Sequence, residues 1–348
     1  MKTGESILTV DNLSVSFRTY SGIVKAVRGV SFELNKGETI CIVGESGSGK
    51  SVTVKTIMGI LPPSAVIESG TINYKGMDLT KLTEEEYARI RGKEIGLIFQ
   101  DPLSSLNPLM KIGRQITEAL LIDKEMSKRE AREAAIELLG AVGIRDPEQR
   151  FEQYPFQFSG GMRQRVVIAI ALARNPEVLI CDEPTTALDV TVQARILNLI
   201  NELKQKRQLS IIFITHDLGV VAHMADRVYV MYAGKIVEYG TAEDIFLEPA
   251  HPYARALLAS VPDMETEGRL ASIPGAPPNM LHPPTGDGFA PRNKYAMQID
   301  FEEEPPMFRI SDTHYAATWS LHPSAPEIPM PDVLRERIRR MKEGGANR

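Results

Sequence analysis

Gly44-Glu45-Ser46-Gly47-Ser48-Gly49-Lys50-Ser51 follows directly on the apolar, β-branched run Thr39-Ile40-Cys41-Ile42-Val43 and precedes a helical segment from Val52 to Leu61. The pattern G-x-x-x-x-G-K-[ST], set between a strand and a helix, predicts a loop that holds phosphate. Its glycines let backbone N–H groups curl around phosphate oxygens, and the helix start adds its positive dipole end. In such a loop Lys50 reaches the β- and γ-phosphates of a nucleotide, and the Ser51 hydroxyl binds Mg²⁺. Nucleotide contacts are therefore assigned to Gly44, Glu45, Ser46, Gly47, Ser48, Gly49, Lys50, Ser51 and the adjoining Val52.

Upstream of this loop lie four short β-like runs, Ile7–Val10, Leu13–Phe17, Val24–Val27 and Val30–Leu34, which suggest an antiparallel layer. Downstream, strand patterns recur at Glu94–Phe99, Val178–Cys181, Ile211–Thr215, Arg227–Tyr232 and Lys235–Tyr239, with helical patterns between them. In Val190–Arg207 the apolar residues Val192, Ile196, Leu199, Ile200 and Leu203 share one helical face, and Arg129–Val142 also reads amphipathic. Strands alternating with helices imply a layered α/β fold with a largely parallel central sheet. From about Ala250 the texture changes. Pro249, Pro252, Pro262, Pro274, Pro277, Pro278, Pro283 and Pro284 interrupt periodic patterns, as expected of a C-terminal extension packed on the main domain or a partly mobile tail.

The run Val178-Leu179-Ile180-Cys181 ends in two adjacent carboxylates, Asp182 and Glu183. Neighbouring strand residues point in different directions, so the two acids can take separate tasks. Asp182 suits the Mg²⁺ shell, and Glu183 suits a base that polarises attacking water.

Phe158-Ser159-Gly160-Gly161-Met162-Arg163-Gln164 resembles the signature sequence of ABC-type ATPases, with Phe and Met where Leu and Gln are commoner. Gln100 after Leu97-Ile98-Phe99 is similar to that family's Q-loop, Ala187-Leu188-Asp189 to its D-loop, and His216 to its switch histidine. Together they resemble the family over about residues 6–255. The implied fold is an ABC-type P-loop ATPase: a mixed central sheet, an N-terminal antiparallel β layer, an inserted helical subdomain at about 101–174, and a C-terminal extension. The division implied is an ATPase domain at 1–255 and an extension at 256–348. By this resemblance His216 would hydrogen-bond the γ-phosphate, Gln100 would join Ser51 and Asp182 around Mg²⁺, and Asp189 would belong to the nucleotide site. An aromatic ring would stack on adenine: Phe17 first, Tyr20 second. Ser159 reads as the N-cap of a helix Met162–Arg174, with Gly160 and Gly161 exposing N–H groups at its start. That second phosphate cradle implies ATP sandwiched between two ATPase subunits.

Several segments resemble a narrower group, the ATPase subunits of oligopeptide and dipeptide importers, with the oligopeptide permease branch the nearest. They are the phosphate loop itself, Phe99 to Pro108, Gln157 to Arg165, His251-Pro252-Tyr253, Ile273-Pro274-Gly275 and Phe289-Ala290-Pro291-Arg292. Many of these relatives carry four cysteines in the extension that can hold an iron–sulfur cluster. Here the matching positions are Asp287, Asn293, Asp300 and Thr318, so no cluster is expected. Phe156 stands where relatives often have His.

Composition agrees with such a subunit. The chain has 348 residues, 43% hydrophobic and 24% charged, with a net charge of −5 that argues against nucleic acid as the main partner. Met1 to Val10 lacks the apolar core of a secretory signal, and Val166 to Ala173 is too short to span a bilayer. The expected place is peripheral, at the cytoplasmic face of the cell membrane. The expected partners are two transmembrane permease subunits, a homologous second ATPase (a heterodimer, with a homodimer open) and an extracytoplasmic peptide-binding protein. Dipeptides, nickel chelates or short sugars are the alternative cargoes. An ABC ATPase acting on DNA or ribosomes is disfavoured, because the stretch from Lys50 to Ser159 lacks sustained heptads and the chain carries one ATPase unit.

Overall fold

The computed structural model describes residues 4–123, 126–186, 188–261 and 272–345. Ala187 of the D-loop match and Pro262 lie outside them. Strands in chain order are β1 (Ser6–Thr19), β2 (Gly22–Asn35), β3 (Thr39–Val43), β4 (Ala65–Tyr74), β5 (Met77–Asp78) and β6 (Ile95–Ile98). They continue with β7 (Val178–Asp182), β8 (Ser210–Thr215), β9 (Arg227–Tyr232), β10 (Lys235–Thr241), β11 (Met307–Arg309) and β12 (Tyr315–Ala317). The chain divides into two compact units.

One unit comprises Ile7–Glu33, Thr39–Thr80 and Thr215–Arg348. Its first layer is a sheet in the order β2-β1-β4-β5, with β1–β4 and β4–β5 antiparallel. The four short runs read from the sequence are here two long strands. Register shifts between Asp11 and Ser14 and between Ser14 and Val15, with Asn12 at φ 45°, absorb the break in alternation without ending β1. The second layer runs β11-β12-β10-β9-β3: parallel at β3–β9, antiparallel elsewhere, so the sheet is mixed. Every residue of β3 is buried, as its uninterrupted apolar run requires.

The extension is integrated into this unit. Strand β12 pairs with β10, and Tyr315 stacks on Tyr239 with ring centroids 4.9 Å apart. The helix Asp332–Gly345 buries Leu334 and Ile338, and its Arg337 donates to the carbonyls of Leu258 and Val261 at 2.6 and 2.7 Å. Leu258 lies in the last turn of the helix Pro252–Ala259 and Val261 just beyond its end, so the guanidinium ties the two helices together.

The other unit comprises Met1–Ser6, Leu34–Glu38 and Lys81–Ile214. Strands β6, β7 and β8 pair in parallel, Ile98 opposite Cys181 and Cys181 opposite Phe213. Between β6 and β7 lie the helices Pro102–Ser105, Ile112–Leu120, Lys128–Ala141, Pro147–Phe151 and Gly160–Ala171. The helix Val190–Arg207 buries Ile196, Leu197, Leu199, Ile200 and Leu203, four of them on the face read from the sequence, while Val192 is only half-buried.

No helix among the described residues is long and apolar enough to cross a membrane. Cys41 and Cys181 are buried thiols, neither in a disulfide.

Candidate functional site

The phosphate loop leaves β3 and turns into the helix Lys50–Ile57. Gly44 (φ 151°) and Gly49 (φ 105°) take backbone conformations that side chains rarely adopt. They also pack too tightly for one: a Cβ on Gly44 would fall 2.0 Å from the Met231 carbonyl oxygen, and on Gly49 2.5 Å from that of Ala26. The Gly234 N–H donates to the Ser48 carbonyl at 3.0 Å, fixing the loop from β9–β10. Buried Lys50 folds over the loop, its ammonium donating to the carbonyls of Gly44 and Glu45 at 2.8 and 2.9 Å. Ser46 and Gly47 are exposed, and Ser51 and Val52 are half-buried in the first helical turn.

Glu45, the second residue of the loop, is held at each polar group. Its N–H donates to the Tyr253 hydroxyl at 2.8 Å. Its carbonyl accepts from Lys50. Its carboxylate takes two hydrogen bonds from the Arg292 guanidinium, at 2.6 and 3.0 Å. Arg292 also donates to the Tyr232 hydroxyl at 3.0 Å and the Pro274 carbonyl at 2.7 Å. Burial works against its charge, but the hydrogen bonds to Glu45 and Tyr232 outweigh it and hold the guanidinium above its ordinary pKa. Tyr232, Tyr253 and Phe289 form one ring cluster, with centroids 4.4 to 5.4 Å apart, and burial raises both phenols.

In the same unit, His216 is exposed just after β8, and Asp217 caps the following helix through the Gly219 N–H. Phe17 is half-buried on β1, opposite Ala65, and Tyr20 stands fully exposed in the turn between β1 and β2.

In the other unit, β7 ends in buried Asp182. Burial first, and then the Asp182 charge, pushes the Cys181 thiol up, so it stays protonated there. Glu183 sits at φ 48°, unusual for a non-glycine residue, with its N–H bonded to the Ile214 carbonyl at 3.0 Å. The Gln100 amide donates to its carboxylate at 3.3 Å and the Thr186 hydroxyl at 3.1 Å, so three predicted or neighbouring polar groups meet there. Ser159 accepts from the Met162 N–H at 3.4 Å, which makes it the N-cap; Gly160 and Gly161 are the first helical turn, so the helix starts two residues before the expected Met162. Asp189 caps the helix Val190–Arg207, accepting from the Val192 N–H at 2.9 Å.

The phosphate loop with its buried lysine suits a triphosphate, and in the other unit the buried carboxylate at a strand end is a hard oxygen donor of the kind that suits a divalent cation such as Mg²⁺. The extension's four non-cysteine positions differ. Asp287, Asn293 and Asp300 accept from the N–H groups of Phe289, Tyr295 and Met297, and Thr318 accepts from that of Ser320. Hard oxygen and amide donors engaged in turns do not fit an iron–sulfur cluster. Sequence reasoning gave no role to Arg292, Tyr253 or Tyr232. Two of them lie in the quoted motifs His251-Pro252-Tyr253 and Phe289-Ala290-Pro291-Arg292, which were the available signal.

Residues 27–186 match the model of the ABC transporter family, and residues 237–299 that of the oligopeptide/dipeptide transporter C-terminal region. The chain is 58% identical to the oligopeptide transport ATP-binding protein OppD of Bacillus subtilis, over 96% of this chain and 94% of the relative. It is 57% identical to the dipeptide transport ATP-binding protein DppD of Lactococcus lactis, over 97% and 98%. Among solved structures it is similar to the ATP-binding cassette MJ0796, determined as a dimer in a post-hydrolysis state bound to ADP and phosphate. That likeness has a TM-score of 0.61 and 27% identity, and covers 68% of this chain and 98% of the other.

Proposed function

This chain belongs to the ATP-binding subunits of ABC transporters, in their oligopeptide/dipeptide branch, and from that premise we propose that it hydrolyses ATP to drive the import of short peptides through partner membrane subunits. One percentage point of identity separates the first oligopeptide and dipeptide relatives, so the cargo class is short peptides, with oligopeptides first. The observation that carries the reading is the convergence of Gln100 and Thr186 on the Glu183 carboxylate at the end of a buried strand.

Bound Mg²⁺, held by Ser51, Gln100 and Asp182, would screen the phosphate charge. Lys50 would exchange its loop carbonyls for β- and γ-phosphate oxygens, and the N–H groups of residues 45–51 would bind the remaining oxygens. Glu183 would accept the proton of the attacking water, with Gln100 and Thr186 fixing the orientation of its carboxylate. His216 would hydrogen-bond the γ-phosphate. Phe17, or Tyr20 from its exposed turn, would stack on adenine. Ser159, Gly160, Gly161 and Asp189 would meet the ATP of a second, homologous ATPase subunit. That pairing is supported by the dimeric state of the similar cassette.

The working division is an ATPase domain at 1–255, with its helical subdomain at about 101–174, and an extension at 256–348. Two transmembrane subunits would dock on the segment after Gln100, placing the chain at the cytoplasmic face of the membrane. Peptide selection would belong to them and to an extracytoplasmic binding protein. Glu183→Gln tests the chemistry: ATP binding should persist while turnover falls by at least about a hundredfold, within the range of general-base losses. Turnover near that of the unsubstituted chain would remove Glu183 from the base role.

A further inference from the structure

A phosphate loop with a carboxylate at its second position has an electrostatic difficulty. Glu45 brings a negative charge to a loop whose backbone is shaped for a polyanion, and like charges at such range oppose binding. The structure supplies a counter-charge from far along the chain. Arg292 grips Glu45 with both arms of its fork at 2.6 and 3.0 Å, its side chain 5% exposed against 24% for Glu45. Bidentate pairs of this kind fix direction as well as charge.

The fork is itself fastened. The Pro274 and Ile273 carbonyls and the Tyr232 hydroxyl take its other hydrogens, and Phe289 lies against it at 5.8 Å from ring centroid to guanidinium carbon. The Tyr253 hydroxyl accepts the Glu45 N–H from the same cluster. Three separate segments of the region after Ala250 thus converge on one residue of the phosphate loop: His251-Pro252-Tyr253, Ile273-Pro274-Gly275 and Phe289-Ala290-Pro291-Arg292.

We propose that the C-terminal extension is a working part of the nucleotide site: Arg292 neutralises Glu45 and, with Tyr253, holds the phosphate loop in its binding shape. Arg292 is a positioning residue, acting on ATP through Glu45 and not by contact. The inference rests on the reading that the loop binds ATP. It adds that a region outside the ATPase domain sets the affinity.

The test is a charge cycle on the full-length chain, with ATP affinity read by titration and folding by thermal melting. Arg292→Met keeps most of the buried stem and removes the charge. It should weaken ATP at least about tenfold, because it strands the Glu45 carboxylate beside the phosphates. Glu45→Gln is the second background of the cycle, and its own affinity is the reference against which the double variant is read. The double variant Glu45→Gln with Arg292→Met should regain most of the lost affinity, which a purely structural role for Arg292 does not predict. Arg292→Lys, retaining charge without the fork, should lose less than Arg292→Met, and it carries the comparison should the latter not fold. A double variant as weak as Arg292→Met, or unchanged affinity in Arg292→Met, overturns the proposal. Failure of the unsubstituted chain to bind ATP would instead sink the ATPase reading on which it rests.

Discussion

Gly49 occupies a position where backbone conformation and packing both exclude a side chain. It is the N-cap of the helix Lys50–Ile57 at φ 105°, and a Cβ there would lie 2.5 Å from the Ala26 carbonyl oxygen and 2.7 Å from the Met231 methyl. The conformation alone costs an alanine about 1–2 kcal/mol. The contact with Ala26 is with backbone, so the loop itself must move. Gly49→Ala should lower the melting temperature by about 5 °C or more and abolish measurable ATP binding. Gly76→Ala separates the two effects: Gly76 is at φ 85° with nothing within 4 Å of the added Cβ, so it carries the conformational cost alone. It should melt a few degrees low and bind ATP normally. Equal losses of affinity in the two variants would show that the loop tolerates the close approach.

At the scale of elements, the long periodic segments were legible and the short ones were not. Val190–Arg207 and Arg227–Tyr232 have the bounds read from pattern, because an apolar face over several turns or a run of β-branched residues leaves little choice. Strands β11 and β12 have three residues each, too few for alternation, and they exist because β10 offers an edge to pair with. The helix Asp332–Gly345 carried a signal in Leu334, Ile338 and Met341, hidden by the prolines before it. The candidate residues of the loop and of the strand end were legible because spacing alone defines them. The Arg292–Glu45 pair was not, since its members lie 247 positions apart in the chain. The short helix Gln298–Glu302 gives a pH prediction. Burial, and then the nearby Asp287 charge, raises the Asp300 pKa against the pull of the Met297 N–H. The folded state therefore holds this proton more tightly than the unfolded chain. The stability it contributes is complete below the ordinary carboxylate range and is lost as pH rises through the raised value. Asp300→Asn keeps an oxygen for Met297 without the charge. It should match or exceed the unsubstituted chain's melting temperature at pH about 7.5 and lose that advantage near pH about 4. An advantage that grew on acidification would reverse the sign.

At the scale of the whole molecule, the chain must pass the consequence of ATP hydrolysis to a membrane partner, and the segment between Gln100 and the signature carries side chains suited to that. Leu103 is 61% exposed, Leu109 88% and Phe156 70%, while the helices around them bury Ile112, Ile116, Leu138 and Leu139. Single exposed apolar residues are ordinary, but Leu103, Leu109, Ile122 and Phe156 all fall in this one segment, and they offer a docking partner apolar anchors in the unit that also holds Gln100 and Glu183. Acidic replacements should then separate two properties that one protein combines. Leu103→Glu with Leu109→Glu touches no core, so unfolding should shift by no more than about 0.5 kcal/mol per site and ATP affinity should be unchanged. Retention with native membranes in mild detergent should fall sharply, because two charges would have to be buried against apolar surface. Co-purification of membrane subunits with the unsubstituted and doubly substituted chains checks this. Undiminished capture by the double variant would move the docking surface elsewhere on the molecule, leaving the ATP chemistry as it stands.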